Sequence, residues 1–77
     1  MIRIYADENH CDEQGKFLLD IPGSLEDIKK HQEVVAEGMV VLLNVQNAFE
    51  VQATLVFDKV WRAIPDFSTI HYLDEEG

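Results

Sequence analysis

The chain predicts a mostly β domain of the α+β class, in which five short strands form an antiparallel sheet, bent or closed into a small barrel, with one short helix between strands 2 and 3. Two observations carry this expectation. Segment 49–57, FEVQATLVF, alternates so that Phe49, Val51, Ala53, Leu55 and Phe57 share one face, the period of a half-buried strand. The other β-forming runs are short and separated by turn residues, while a helical start signal occurs only once, at Ser24.

Residues 2–5, IRIY, and 16–21, KFLLDI, read as strands 1 and 2. The polar stretch between them, which ends in Gly15, reads as their hairpin loop. Pro22 and Gly23 break the second strand. Ser24 then opens SLEDIKKHQ, where Ser24 with Asp27 approximates a capping box, Glu26 and Asp27 fall in the first turn, and Leu25 and Ile28 are the expected buried contacts. Gln32 interrupts the apolar stripe, so the helix should end near His31.

From Glu37 the pattern returns to strands. GMVVLLNV reads as a largely buried run. The connection Gln46-Asn47-Ala48, with Asn47 best suited to a left-handed backbone, makes this run and FEVQATLVF adjacent and antiparallel. VWRAI is a further strand, Pro65 to Ser68 a turn, and Thr69 to Leu73 a last short strand, a sixth β-forming run where the expected sheet counts five, before an acidic tail, DEEG, that is expected to fray.

The order Trp61-x-Ala63 followed by Pro65-x-Phe67 resembles SH3-like barrels. The resemblance covers about fifteen residues and implies a fold only, because the acidic loop and aromatic groove of a peptide-binding SH3 domain are not present.

Size and composition narrow the function. A 77-residue chain is expected to be one domain, residues 1–77, and with a single cysteine it cannot form an internal disulfide, so packing of its 47% hydrophobic residues must stabilise it. A reducing, cytoplasmic setting follows as the expectation. The opening MIRIYADENH carries no secretory pattern, and the longest apolar run is the five residues MVVLL. Fifteen acids against six Lys and Arg give a net charge of −9, which argues against direct nucleic-acid binding and favours a basic protein partner.

Two clusters have the residue types of a reactive site. The first is ADENHCDEQG, residues 6–15, with Asp7, His10, Cys11 and Asp12. Counted as a calcium loop from Asp7, Asn9 fits but the fifth, sixth and twelfth positions are Cys11, Asp12 and Leu18; zinc would need paired Cys and His ligands. Its acids also favour the neutral form of Cys11. A solvated turn is the better reading. The second is DFSTIH, where Asp66, Ser68 and His71 are the members of a hydrolase triad by type; triads assemble from separate elements, so turn and strand roles are expected instead. No catalytic residue, cofactor or metal is expected.

Trp61 has two readings that depend on one turn. A two-residue Asp58-Lys59 turn pairs Phe57 with Val60 and sends Trp61 to the outer face, where it would be an aromatic contact for a partner. A loop one residue longer pairs Phe57 with Trp61 and Leu55 with Ala63, turning Trp61 and Ala63 inward and Arg62 outward. The second packs the better core. Trp61, Phe67, Tyr72, Glu50 and Asp66 form the candidate interaction surface.

The functional expectation is a small acidic, non-enzymatic protein-binding module or adaptor. The alternative is an acidic inhibitor, immunity protein or nucleic-acid mimic that blocks a basic protein site. The partner is another protein, neither nucleic acid nor membrane, and the unpaired edges of a small sheet leave room for a homodimer.

Overall fold

The computed structural model describes residues 1–73. In chain order the elements are β1 (Arg3–Ala6), β2 (Phe17–Leu18), α1 (Pro22–Lys30), β3 (Val40–Val45), β4 (Phe49–Asp58) and β5 (Val60–Tyr72). The strands form one sheet in the order β1-β3-β4-β5-β2, curled into a half-barrel. The expected mostly β architecture is therefore present, with its helix between strands 2 and 3. The predicted fraying of the tail concerns residues 74–77 and lies outside the described residues.

The sheet is mixed rather than fully antiparallel, because β1 pairs in parallel with β3 while the other three pairings are antiparallel. This corrects the predicted β1–β2 hairpin: the two strands are the opposite edges of the sheet. A parallel neighbour requires a long crossover, and residues 7–39, including the helix, provide it. The turn residues after β1 still make a hairpin, but a local one, in which Cys11 bridges to Phe17 and Leu18 N–H donates to the His10 carbonyl. β2 is shorter than the predicted 16–21 strand: beyond Leu19, whose N–H still bonds the Trp61 carbonyl of β5, the chain turns toward the helix.

Alternation along the central strands builds the core. On the concave face Val41, Leu43 and Val45 of β3 and Val51, Ala53 and Leu55 of β4 are buried, joined by Ile4, Leu19, Ile28 and Ala63. Leu19 follows β2 directly, and Ile28 belongs to the helix, which docks on β1.

Helix α1 begins two residues before the predicted start, with Pro22 in its first turn and no side-chain cap. Ser24 and Asp27 do not form a capping box. Their side chains turn to β1, where Ser24 Oγ donates to the Tyr5 carbonyl and Asp27 Oδ2 accepts from the Tyr5 N–H at 2.9 Å. Ile2 and Ala6 direct their carbonyls to β3, so the alternate residue Tyr5 faces the free edge, and the helix occupies it. The approach is close: a Cβ on Gly23 would lie 2.7 Å from the Tyr5 ring. Ile28 is buried as expected, but Leu25 is exposed, because docking on an edge strand covers a narrower stripe of the helix than docking on a sheet face.

The other edge is blunted differently. The Trp61 carbonyl accepts from Leu19 N–H, so the backbone of Trp61, Ala63 and Pro65 faces the β2 side of β5. Where β2 stops, Pro65 has no N–H to offer. The predicted turn at Pro65 to Ser68 and separate last strand are one strand with a large bulge. The register moves from Gln52 opposite Asp66 to Glu50 opposite His71, leaving Phe67 to Ile70 across from Val51.

Candidate functional site

The β4–β5 hairpin resolves the two readings of Trp61. Phe57 pairs with Trp61, Leu55 with Ala63 and Val56 with Arg62, around a tip in which Lys59 has φ +69°. This is the register of the longer loop. Ala63 is fully buried, and Trp61 packs partly against the core.

The same register creates an aromatic corner at the end of the sheet. Phe57 and Trp61 meet edge to face, with ring centroids 5.2 Å apart and planes at 72°, yet Phe57 remains 50% exposed. Glu37 Oε2 accepts from the Phe57 N–H at 3.2 Å, and Asp58 follows directly in the chain. Beyond Asp58 an open cleft of about 300 Å³ is lined by Asp12, Glu13, Gln14, Asp58 and Arg62. Arg62 is held here by Asp12 Oδ2 at 2.9 Å and by the Asp58 carbonyl at 3.1 Å.

Asp12 organises that cleft. Its Oδ1 accepts the N–H groups of Gln14 and Lys16, both at 2.9 Å, and its backbone carbonyl accepts from Gly15, whose φ of +86° suits glycine. Desolvation would raise the Asp12 pKa, but the Lys16 N–H, the Arg62 guanidinium, the Gln14 N–H and the Lys16 ammonium together lower it below the ordinary carboxylate value. Asp7 turns the loop at its other end, accepting from Asn9 N–H at 2.8 Å through its side chain. His10 pairs with Asp20. Cys11 Sγ donates to the Glu8 carbonyl at 3.4 Å, and desolvation followed by Asp12, Asp7 and Glu8 raises its pKa, favouring the unreactive thiol. The stretch is a turn built from two aspartates, and among the described residues no three His, Cys, Asp or Glu side chains are grouped to hold a metal.

The five candidate interaction residues do not form one surface. Glu50 is bound by Arg3 Nε at 2.8 Å on the convex face. Asp66 Oδ1 accepts from both Ser68 N–H and Ser68 Oγ inside the bulge. Phe67 projects from the bulge, and Tyr72 leans on Phe49 with centroids 5.8 Å apart. Trp61 lies roughly 20 Å away along β5, estimated from about 3.3 Å per residue. Sequence reasoning did not single out Glu37 or the exposure of Phe57, although the place of Phe57 at the end of an alternating strand was visible.

Within DFSTIH, Ser68 Oγ is bonded to Asp66 rather than to an imidazole, and His71 is exposed opposite Glu50. A wider cleft of about 830 Å³ lies between β1 and the end of the helix, lined by Arg3, Asp27 and Lys30 among others. Arg3 pairs with Glu50, and Lys30 with Asp27 at 3.8 Å. No helix of the described residues is long and apolar enough to cross a membrane. Comparison with protein-family models, characterised proteins and solved structures finds no match for this chain.

Proposed function

We propose that the chain is a non-enzymatic protein-binding module that takes a cationic side chain of a basic partner at the Phe57–Trp61 corner. The observation that supports this is the half-exposed Phe57 ring set edge-on to Trp61 with the Glu37 carboxylate on its own amide. An arginine stacked on the exposed Phe57 ring would gain a cation–π contact, and Glu37, bound to the Phe57 amide, is placed to neutralise its charge. The groups that thiol or serine chemistry would require are otherwise occupied, Cys11 as a thiol on the Glu8 carbonyl and Ser68 on Asp66.

Calorimetric titration with an arginine-rich peptide tests the reading, with a glutamate-rich peptide as control. The expected result is saturable binding of the first alone, weakened about tenfold or more by Phe57→Ser and less by Glu37→Gln. Equal binding by wild type and Phe57→Ser would sink it.

A second reading, an acidic inhibitor or nucleic-acid mimic that covers a basic site, is favoured by the charge distribution. Arg3, Lys16, Lys30 and Arg62 each lie within 4.0 Å of a carboxylate, while the whole chain carries −9. That mode predicts affinity falling steeply with salt and indifference to Phe57.

A further inference from the structure

The cleft of about 830 Å³ between β1 and the end of α1 has the volume of a small-molecule site, for which about 300–1,000 Å³ is usual. Its walls follow from how the helix caps the sheet edge. Ser24 and Asp27 bond Tyr5, and the next turn brings Lys30 and His31 to the same cleft as Ile2 and Arg3 of the first strand segment. The chain then returns through Met39 to β3.

Charge sets this cleft apart. In a chain of fifteen acids and six Lys and Arg, its lining carries Arg3, Lys30 and His31 against one carboxylate, Asp27. That carboxylate is already engaged, because Oδ2 accepts from the Tyr5 N–H and Oδ1 lies 3.8 Å from Lys30 Nζ in an exposed pair of little strength. Arg3 bonds Glu50 through Nε, which leaves the two terminal nitrogens of its guanidinium to meet another anion. The helix dipole accounts for Lys30 in the last turn, but not for a cation on the strand beside it. Asn44 adds a neutral donor: its Oδ1 takes the Asn47 N–H at 2.8 Å, so its amide NH2 remains to donate. Ile2 and Met39, both packed against the core, and Val40 make the rest of the lining apolar.

We propose that this cleft binds a small organic anion, a carboxylate or phosphate carried on an apolar body. Arg3 and Lys30 hold the charged group, and Ile2, Met39 and Val40 cover the body. The size of the ligand follows from the charge of the whole chain. A polyanion long enough to leave the cleft meets the repulsion of a chain carrying −9, whereas a ligand of one or two charges stays within a screening length of about 8 Å of the cations.

Fluorescence titration of the full chain with anilinonaphthalene sulfonate, an aromatic body bearing one anionic group, tests the proposal. Saturable binding is expected at about 10–100 µM, the range for a ligand of about twenty heavy atoms, and about tenfold weaker binding for phenylnaphthylamine, which lacks the sulfonate. Arg3→Gln and, separately, Lys30→Gln should each weaken binding of the sulfonate about fivefold or more with an unchanged circular dichroism spectrum. Lys59→Gln, which removes the same charge at the hairpin tip, should bind like wild type. In NMR of the labelled chain the amides of Ile2, His31 and Asn44 should shift along the titration. No saturable binding up to about 500 µM, equal binding of the uncharged analogue, binding that both Arg3→Gln and Lys30→Gln retain, or amide shifts centred elsewhere in the chain would each overturn the proposal.

Discussion

Ser24 Oγ donates a hydrogen bond to the Tyr5 carbonyl, joining the first turn of the helix to the edge strand nineteen residues earlier. Ser24 is fully buried, and together with the Asp27 contact to the Tyr5 N–H it satisfies both backbone groups that Tyr5 turns to the free edge. Ser24→Ala leaves that carbonyl short of a donor in a desolvated place. The expected loss is about 1–3 kcal/mol in chemical denaturation. A loss within error would mean that packing against Tyr5, rather than the bond, holds the helix.

Lys59 has φ +69° at the tip of the β4–β5 hairpin, a backbone region that disfavours L side chains. Lys59→Gly removes that strain but adds freedom to the unfolded chain, and the difference should leave the variant more stable by about 0.5 kcal/mol. A lower denaturation midpoint would show that the lysine side chain makes a stabilising contact.

The pKa of Asp12 is lowered in the folded state, so its contribution to stability is present above the unfolded value of 3.8 and is lost as pH falls through the folded value. Asp12→Asn keeps an acceptor for the Gln14 and Lys16 N–H groups but gives up the charge facing Arg62. Denaturation midpoints of wild type and variant should differ at pH 7, with the variant lower, and converge near pH 2. A difference that does not change with pH would assign the effect to loop geometry.

Cys11 is held as a thiol by desolvation and three neighbouring acids. Alkylation by iodoacetamide at pH 7.5 should run at least about tenfold slower in the folded protein than in denaturant. Equal rates would contradict the placement of Sγ on the Glu8 carbonyl.

Legibility from sequence followed the range of the interactions. The alternation of β4, the turn at Gln46 and Asn47, whose φ values are +54° and +60°, and the pairing of Phe57 with Trp61 all depend on neighbours a few residues apart, and each was readable. The parallel β1–β3 pair was not, because its partners lie thirty-nine residues apart and no turn chemistry marks a crossover. Ser24 and Asp27 misled for a related reason: the same side chains that cap helices can bond any nearby backbone group, and here the nearer one belonged to Tyr5. The Asp66 side chain does accept the Ser68 N–H as it would in a turn, but β5 runs on through these residues, so a turn signal became a bulge. At the site, the acids of the loop were visible; the joining of Glu37 to Phe57 required the fold.

The most direct test of the central claim uses Trp61, the only tryptophan, as a probe of its own corner. Acrylamide quenching of its emission should be intermediate in the free protein, as suits a partly buried ring, and should fall when an arginine-rich peptide binds and covers Phe57 and the indole edge. Quenching that stays the same while calorimetry shows the peptide bound would place the interaction elsewhere on the acidic surface and contradict the aromatic corner as the binding site.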